Sequence, residues 1–224
     1  MSLTIRQVTA ADLDTLAALN RAAYPDHVED GVVFEAAHLR MHHARFPEGQ
    51  LLVEDAGRIV GAIATLVLPT AIDPLAPHTW MGVTDGGSFA RHDPAGDTLY
   101  LADIYVDQSA WGHGIGRALY AALFALCRRL GKVRVVGGGR LYDFVDAPVD
   151  LTAEAYVAGV LHGERRDRVL LSQLRAGFQV RGLLRGYLHD WRSRHCATLI
   201  VWDNPECAQP LVHAAPRARA TIAR

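Results

Sequence analysis

What the 224-residue sequence lacks narrows its functions first. It has three cysteines, Cys127, Cys196 and Cys207, an odd and scattered set without CxxC spacing. That argues against a disulfide framework or a cysteine-based zinc site and fits a reducing compartment. No charge of one sign is in excess, with 23 Lys and Arg against 24 Asp and Glu. No overall field therefore points to nucleic acid or an anionic membrane, and only the Arg-bearing tail after Pro205 is locally basic. No apolar run reaches the ~18 residues of a membrane span, and the opening "MSLTIRQVT" has neither a basic n-region nor an apolar h-region. The expectation is a cytoplasmic protein with no nucleic-acid and no membrane partner. Internal repeats and low-complexity segments are missing too.

What is present is a half-hydrophobic, ordinarily charged chain of a length that suits one domain with a sizeable core. Alternation over "LTIRQVT" predicts a strand from Leu3 to Thr9, and Leu13, Leu16, Leu19 and Tyr24 recur at helical spacing behind it. A second helix is expected through "VVFEAAHLRMHHARF". "QLLVEDAGRIVGAIATLVL" reads as a hairpin turning at Asp55-Ala56-Gly57-Arg58. Prolines, glycines and Asp-Pro steps from 69 to 97 predict a long irregular insertion that covers a binding cleft. Beyond it lie a strand, "DTLYLADIYVD", a glycine loop and long helix, "AWGHGIGRALYAALFALCRRLG", and a strand, "KVRVVGGGRL". Helices "LTAEAYVAGVLHGE" and "RVLLSQLRAGF" then precede strands "FQVRGLLRGYL" and "CATLIVWDN".

The glycine loop carries the chemistry. The helix after it buries a stripe of Ile115, Leu119, Ala122 and Leu126, yet its first turn has no Ser, Thr, Asp or Asn to satisfy the free backbone amides. Gly112, Gly114 and Gly116 remove the Cβ atoms that would block approach, and Arg117 adds a cation. A positive helix end with unshielded amides favours a phosphate or pyrophosphate. Two common phosphate motifs fail, because GxGxxG would need glycine where Arg117 stands and the Gly-Lys-Ser/Thr ending of the nucleotide P-loop is missing. Gly137 to Gly139 follow a strand but lead into no amphipathic helix, so they read as a strand end that bends or bulges.

Trp111-Gly112-His113-Gly114-Ile115-Gly116 resembles the pyrophosphate loop of the GNAT acetyltransferase superfamily, Arg/Gln-x-x-Gly-x-Gly/Ala, with Trp111 at the usual Arg or Gln position. "LADIYVD" before it and "LRAGF" after it also resemble that superfamily. "HTWMGVTDGGSFARHDPAGDTLY", "LCRRLGKVRVVGGGR" and "LSQLRAGFQVRGLLRGYL" with "ATLIVWDNPE" resemble the acetyltransferase-like domain that bacterial proteins fuse to a carbon-nitrogen hydrolase (nitrilase-like) domain. The resemblance implies an α/β (α+β) fold with a mixed, mostly antiparallel sheet of about seven strands flanked by helices. It covers residues 1–206, with 207–224 as a tail that ends where such a hydrolase would begin. It further implies acetyl-CoA as co-substrate and direct transfer to the amine of a small molecule or peptide in a ternary complex, without a metal. Ile104, Tyr105, Val106, Trp111, Gly112, His113, Gly114, Ile115, Gly116 and Arg117 would hold CoA, with a backbone N–H near Tyr105 or Val106 on the thioester oxygen. A homodimer, or association with a carbon-nitrogen hydrolase-like protein, is left open, as is a catalytically weak CoA sensor or interaction module.

Amine acetylation needs a neutral nucleophile, so a base is sought. Alternation places Leu99, Leu101, Asp103 and Tyr105 on one face, and Asp103 interrupts it; it is the candidate base, against a structural ion pair or an ammonium anchor. The position where the superfamily often has an acidic Tyr is Gln173, which cannot protonate a thiolate, so that role is absent or moved to Tyr142, Tyr156 or Tyr187. His38, His42 and His43 read as a solvated helix face, and Cys127 as a packed core thiol. Trp111 either alters the loop's side-chain contribution or packs beneath it. Arg128 and Arg129 are candidates for the CoA 3′-phosphate or for the helix dipole.

Overall fold

The computed structural model describes residues 3–25 and 32–207. Among them the strands are β1 Leu3–Gln7, β2 Gln50–Asp55, β3 Arg58–Leu68, β4 Thr98–Val106, β5 Arg134–Arg140, β6 Gln179–Arg185 and β7 Cys196–Asp203. The helices are α1 Leu13–Ala23, α2 Ala36–Arg45, α3 Trp80–Thr84, α4 Ile115–Arg129, α5 Ala153–Leu161 and α6 Arg168–Ala176. One sheet runs β1-β2-β3-β4-β5-β7-β6, antiparallel at every step except β4 beside β5. This is the mixed, mostly antiparallel, helix-flanked sheet expected from the sequence.

Each face of the sheet has its own core. Leu16, Phe34, Leu66, Trp80, Phe89 and Tyr100 pack on the side of α1 and α2. Val53, Ile63, Leu99, Leu119, Leu123 and Val135 pack on the side of α4. With both faces covered, β3 is buried almost without a break, and its sequence therefore reads as a continuous apolar run rather than an alternation. Leu123 is wholly buried, so Leu123→Ala costs about 2–5 kcal/mol. A third cluster, including Leu141, Phe144, Tyr156, Val160 and Leu170, joins α5 and α6 to the sheet's end. Helix α6 is bounded by Asp167, whose carboxylate accepts from the Val169 and Leu170 amides, and by Gly177 at φ 110°.

Four sequence expectations change. Strand β1 stops at Gln7, because the Thr9 amide and hydroxyl bind Asp12 and turn the chain into α1. Helix α2 starts at Ala36, since its N-cap Glu35 is extended and the Phe34 amide before it is held by Asn20. Gly137, Gly138 and Gly139 do not end or bulge β5; they lie inside it, paired with Ile200, Leu199 and Thr198 of β7. Close approach explains them, for a Cβ at Gly138 would overlap the Tyr187 ring and one at Gly139 the Gln173 amide.

The fourth change is in β4. Ala64 pairs with Asp103 but Thr65 pairs with Leu101, so Ala102 is an extra residue and the strand bulges. Alternation therefore slips by one: Leu99 and Leu101 face the α4 core, whereas Tyr100, Ala102 and Tyr105 face the α1 side. Asp103 lies with Tyr105, not with Leu99 and Leu101, and meets α1 residues. The carbonyl of Ala102 is taken by the Trp80 indole N–H at 2.9 Å. Trp80 belongs to the 69–97 segment, which is tied to the sheet and carries the short helix α3. Of the expected tail, residues 208–224 lie outside the described residues.

Candidate active site

The parallel strands β4 and β5 pair only from Thr98–Leu101 to Arg134–Gly137 and then diverge. Beyond Leu101 no strand pairs with β4 on its β5 side, and the carbonyls of Ala102, Ile104 and Val106 accept instead from the Trp80 indole, the Tyr24 hydroxyl and the Trp111 indole. The gap between the two strands opens into a cleft of about 610 Å³, the size of a cofactor-binding site. Its lining includes Asp103, Ile104, Tyr105, Val106, Trp111, Gly112, Gly114, Ile115, Gly116 and Arg117. Of the residues singled out in the sequence for binding and catalysis, His113, Arg128, Arg129 and Tyr156 lie outside that lining.

The mouth of the cleft is the start of α4. Gly114 is its N-cap at φ 81°, with no side-chain cap, and Gly112 has φ 79°. The first helical bond is from Ala118 N–H to the Gly114 carbonyl, so the amides of residues 114–117 precede the ladder. A Cβ at Gly112 or Gly116 would meet nothing within 4 Å, so packing does not demand glycine there. Trp111 does not pack beneath the loop: it is 46% exposed and its indole N–H donates to the Val106 carbonyl at 3.1 Å. Loop and strand end are thereby joined. Arg128 pairs with Glu206 and lies over Trp202, some thirteen residues or about 20 Å along α4 from this cradle.

Asp103 sits in the inner wall. One carboxylate oxygen accepts from Asn20 Nδ2 and the other from the Tyr24 hydroxyl, both at 2.7 Å. Asn20 is itself fixed, its Oδ1 receiving the Phe34 amide. Burial pushes Asp103 up to about 6, against the opposing pull of Tyr24, Asn20, the Ile104 amide and the more distant Arg140. It is thus a carboxylate that is ionised at neutral pH yet far more basic than an ordinary Asp. Arg140 makes a two-pronged pair with Asp190, one bond being 2.8 Å.

Tyr142 and Tyr187 line the cleft, as does Gln173; Tyr156 instead donates to Asp167 at 3.0 Å among the α5–α6 residues. Gln173 is buried with Oε1 unpartnered. Three arginines, Arg140, Arg168 and Arg192, surround the Tyr142 ring at 4.4–5.1 Å. Sequence reasoning missed Asn20, Tyr24, Trp80, Gly138 and Arg140. Only the glycine run gave a signal, since three small residues in a strand announce something lying close against it.

The remaining candidates resolve simply. His42 is not on a solvated face: it is 1% exposed, stacked 3.6 Å from Phe89, with Nε2 on the Gly87 carbonyl, and burial pushes it down to about 4. Cys127 is a core thiol pushed up to about 12 by burial, too high to supply a thiolate. Among the described residues no three or more potential metal ligands come together, and no helix is long and apolar enough to cross a membrane.

Comparison with known proteins follows the same lines. The acetyltransferase (GNAT) family model matches residues 13–138. The chain is 33% identical over 204 residues to the uncharacterized N-acetyltransferase YkwB of Bacillus subtilis (strain 168), covering 91% of this chain and 89% of that protein. It is 31% identical over 204 residues to the probable hydrolase YhcX of the same organism, covering 90% of this chain but 39% of that protein. Among solved structures, the GphF GNAT-like decarboxylase in complex with isobutyryl-CoA superposes with a TM-score of 0.76 at 28% identity, covering 90% of this chain and 99% of that one.

Proposed function

This chain belongs to the GNAT acetyltransferase family, and from that premise we propose that it is an acetyl-CoA-dependent N-acetyltransferase acting on the amine of a small molecule or peptide. The observation that carries this reading is the uncapped start of α4, with its glycines, opening onto the stretch of β4 that has no strand beside it on the β5 side. In it, the amides of residues 114–117 and Arg117 take the CoA pyrophosphate, and the pantetheine arm lies along Ile104–Val106. A backbone N–H near Tyr105 or Val106 holds the thioester oxygen as it gains charge. Asp103 draws the acceptor's ammonium and takes its proton. With its pKa at about 6 it is ionised at neutral pH and basic enough to compete for that proton. The freed amine attacks the thioester carbon directly, the carbon–sulfur bond breaks, CoA leaves as a thiolate, and the surplus proton on the new amide nitrogen passes to water. Gln173 cannot protonate that thiolate, and a thiol of pKa ~8.5 does not require it.

A second reading, a CoA-binding module with little turnover, is favoured by Gln173 standing where the family often has an acid. The likeness to a probable hydrolase supports association with a carbon-nitrogen hydrolase-like protein under either reading. Thiol release from acetyl-CoA over an amine library, with product masses, tests the first. Isobutyryl-CoA and malonyl-CoA belong in the panel because GphF is a GNAT-like decarboxylase whose structure holds isobutyryl-CoA, and a decarboxylase needs an acyl group that carries a carboxylate. Acetylated amine formed only with enzyme supports transfer; tight CoA binding with no acylated product from any amine supports the module.

A further inference from the structure

A chain of three hydrogen-bonded rings runs from the 69–97 segment to the cleft, and neither the glycine cradle nor Asp103 uses it. His78 Nδ1 lies 2.9 Å from the Ala76 carbonyl oxygen, His78 Nε2 lies 2.9 Å from the Tyr100 hydroxyl, and that hydroxyl lies 2.9 Å from the hydroxyl of Tyr187. The rings also meet edge-on, with His78 5.5 Å from Tyr100 and 5.9 Å from Tyr187 between centroids. Tyr100 is wholly buried, whereas Tyr187 is part of the cleft wall with Asp103, Trp80 and Gly138.

The far end dictates the direction of every bond. A carbonyl oxygen can only accept, so the proton of a neutral His78 is on Nδ1 and Nε2 is left as an acceptor. Tyr100 therefore donates its one proton to His78, and Tyr187 must donate to Tyr100. The Tyr187 oxygen also accepts from the Gly138 amide, which leaves it one lone pair, and no proton, for the cleft.

We propose that Tyr187 is the residue that positions the acceptor amine: with His78 neutral it accepts an N–H from the amine, and when His78 gains a proton the chain reverses, Tyr187 becomes a donor and the amine is released. The inference rests on the acetyltransferase reading above and gives its acceptor site a polarity. In the reversed state His78 Nε2–H donates to Tyr100, Tyr100 to Tyr187, and Tyr187 into the cleft. Burial draws His78 below its ordinary value, opposed by its bond to Ala76, so the neutral state holds at pH 7. The titratable groups facing His78 are the phenols of Tyr100 on β4 and Tyr187 after β6, which burial keeps un-ionised. Asp103 is the charge felt at Tyr187, and Arg140 on β5 the cation near Asp103.

The decisive variant is His78→Phe, which keeps a ring against both tyrosines but removes the acceptor. Tyr100 then has Tyr187 as its remaining acceptor, so the variant is locked in the reversed state. Acetyl transfer is measured from pH 5 to 8.5 with the best substrate among spermidine, tyramine, glucosamine, lysine and an alanyl peptide with a free amino terminus. In the parent, log kcat/KM for the amine falls with slope two on the acid side, because Asp103 and His78 must both be unprotonated. In His78→Phe the slope is one, amine KM is raised about tenfold at every pH, as befits one hydrogen bond, and KM for acetyl-CoA is unchanged. Tyr187→Phe gives the same pattern, and the double variant is no worse than either single one. An acid limb and amine KM unchanged in both single variants overturn the proposal while leaving the transferase reading intact. A parent that acetylates none of these amines overturns that reading together with the amine as Tyr187's ligand. Imidazole 15N shifts, which need no turnover, report the tautomer directly: a proton on Nε2 of neutral His78 overturns the polarity.

Discussion

Gly116→Asp separates a glycine kept for a ligand from one kept for the fold. Gly116 is the second residue of α4, its φ is not among the positive values, and a Cβ there meets nothing within 4 Å. No strain and no clash attend the substitution. Replacing glycine by aspartate inside a helix gains only about 0.1–0.3 kcal/mol in propensity, and an acid in the first turn adds about 0.3–1 kcal/mol with the helix dipole. The free protein is therefore expected to gain on the order of 1 kcal/mol in urea unfolding. CoA binding moves the other way: a carboxylate some 5 Å from one phosphate charge, at an effective dielectric near 20, costs about 3 kcal/mol, more than a hundredfold in Kd. Gly114 is a poorer probe, because at φ 81° any side chain is strained before a ligand is considered. Unfolding curves and calorimetric titration with CoA read the two quantities separately. A Gly116→Asp protein that binds CoA as tightly as the parent refutes the cradle, and one that unfolds more easily refutes the account of its glycine.

Asp103→Asn is expected to lower turnover about a hundredfold with CoA affinity unchanged, and to remove the component of the acid limb centred near pH 6; full activity across that range would make Asp103 structural. His42 takes up a proton near 6.5 when unfolded and only near 4 when folded. Its contribution is therefore complete above pH 6.5 and declines as pH falls, by on the order of 3 kcal/mol near pH 4. His42→Phe should flatten that decline in urea unfolding at pH 7 and 4.5, and parallel losses in both proteins would contradict the assignment. Tyr156→Phe should leave acetyl transfer intact but cost about 1–3 kcal/mol, since Asp167 loses a buried donor; a collapse of kcat with normal stability would instead make it a relocated acid.

The fold and half of the candidate site were legible in the sequence because those parts rest on local rules. Period-two and helical spacings located the strands and helices, and an uncapped helix start behind Gly112, Gly114 and Gly116 is a local statement about backbone donors. The inner wall was illegible because it depends on long-range contacts. Asp103 is placed by a bulge at Ala102 that no alternation shows, and by Asn20 and Tyr24 some eighty residues away. Trp80 sits in a segment with no periodicity at all, and reaches β4 through a single indole bond. The glycines of β5 were visible, but the tyrosine they make room for follows another strand, so their meaning waited for the packing.

Amide hydrogen exchange with and without CoA tests the central claim most directly, because it reports on the donors themselves. The account predicts that the amides of residues 114–117, which precede the helical ladder, exchange quickly in the free protein and slow on CoA binding, together with amides at the open end of β4. If CoA binds while those helix-start amides exchange as before and protection arises elsewhere, the uncapped start of α4 is not the phosphate site.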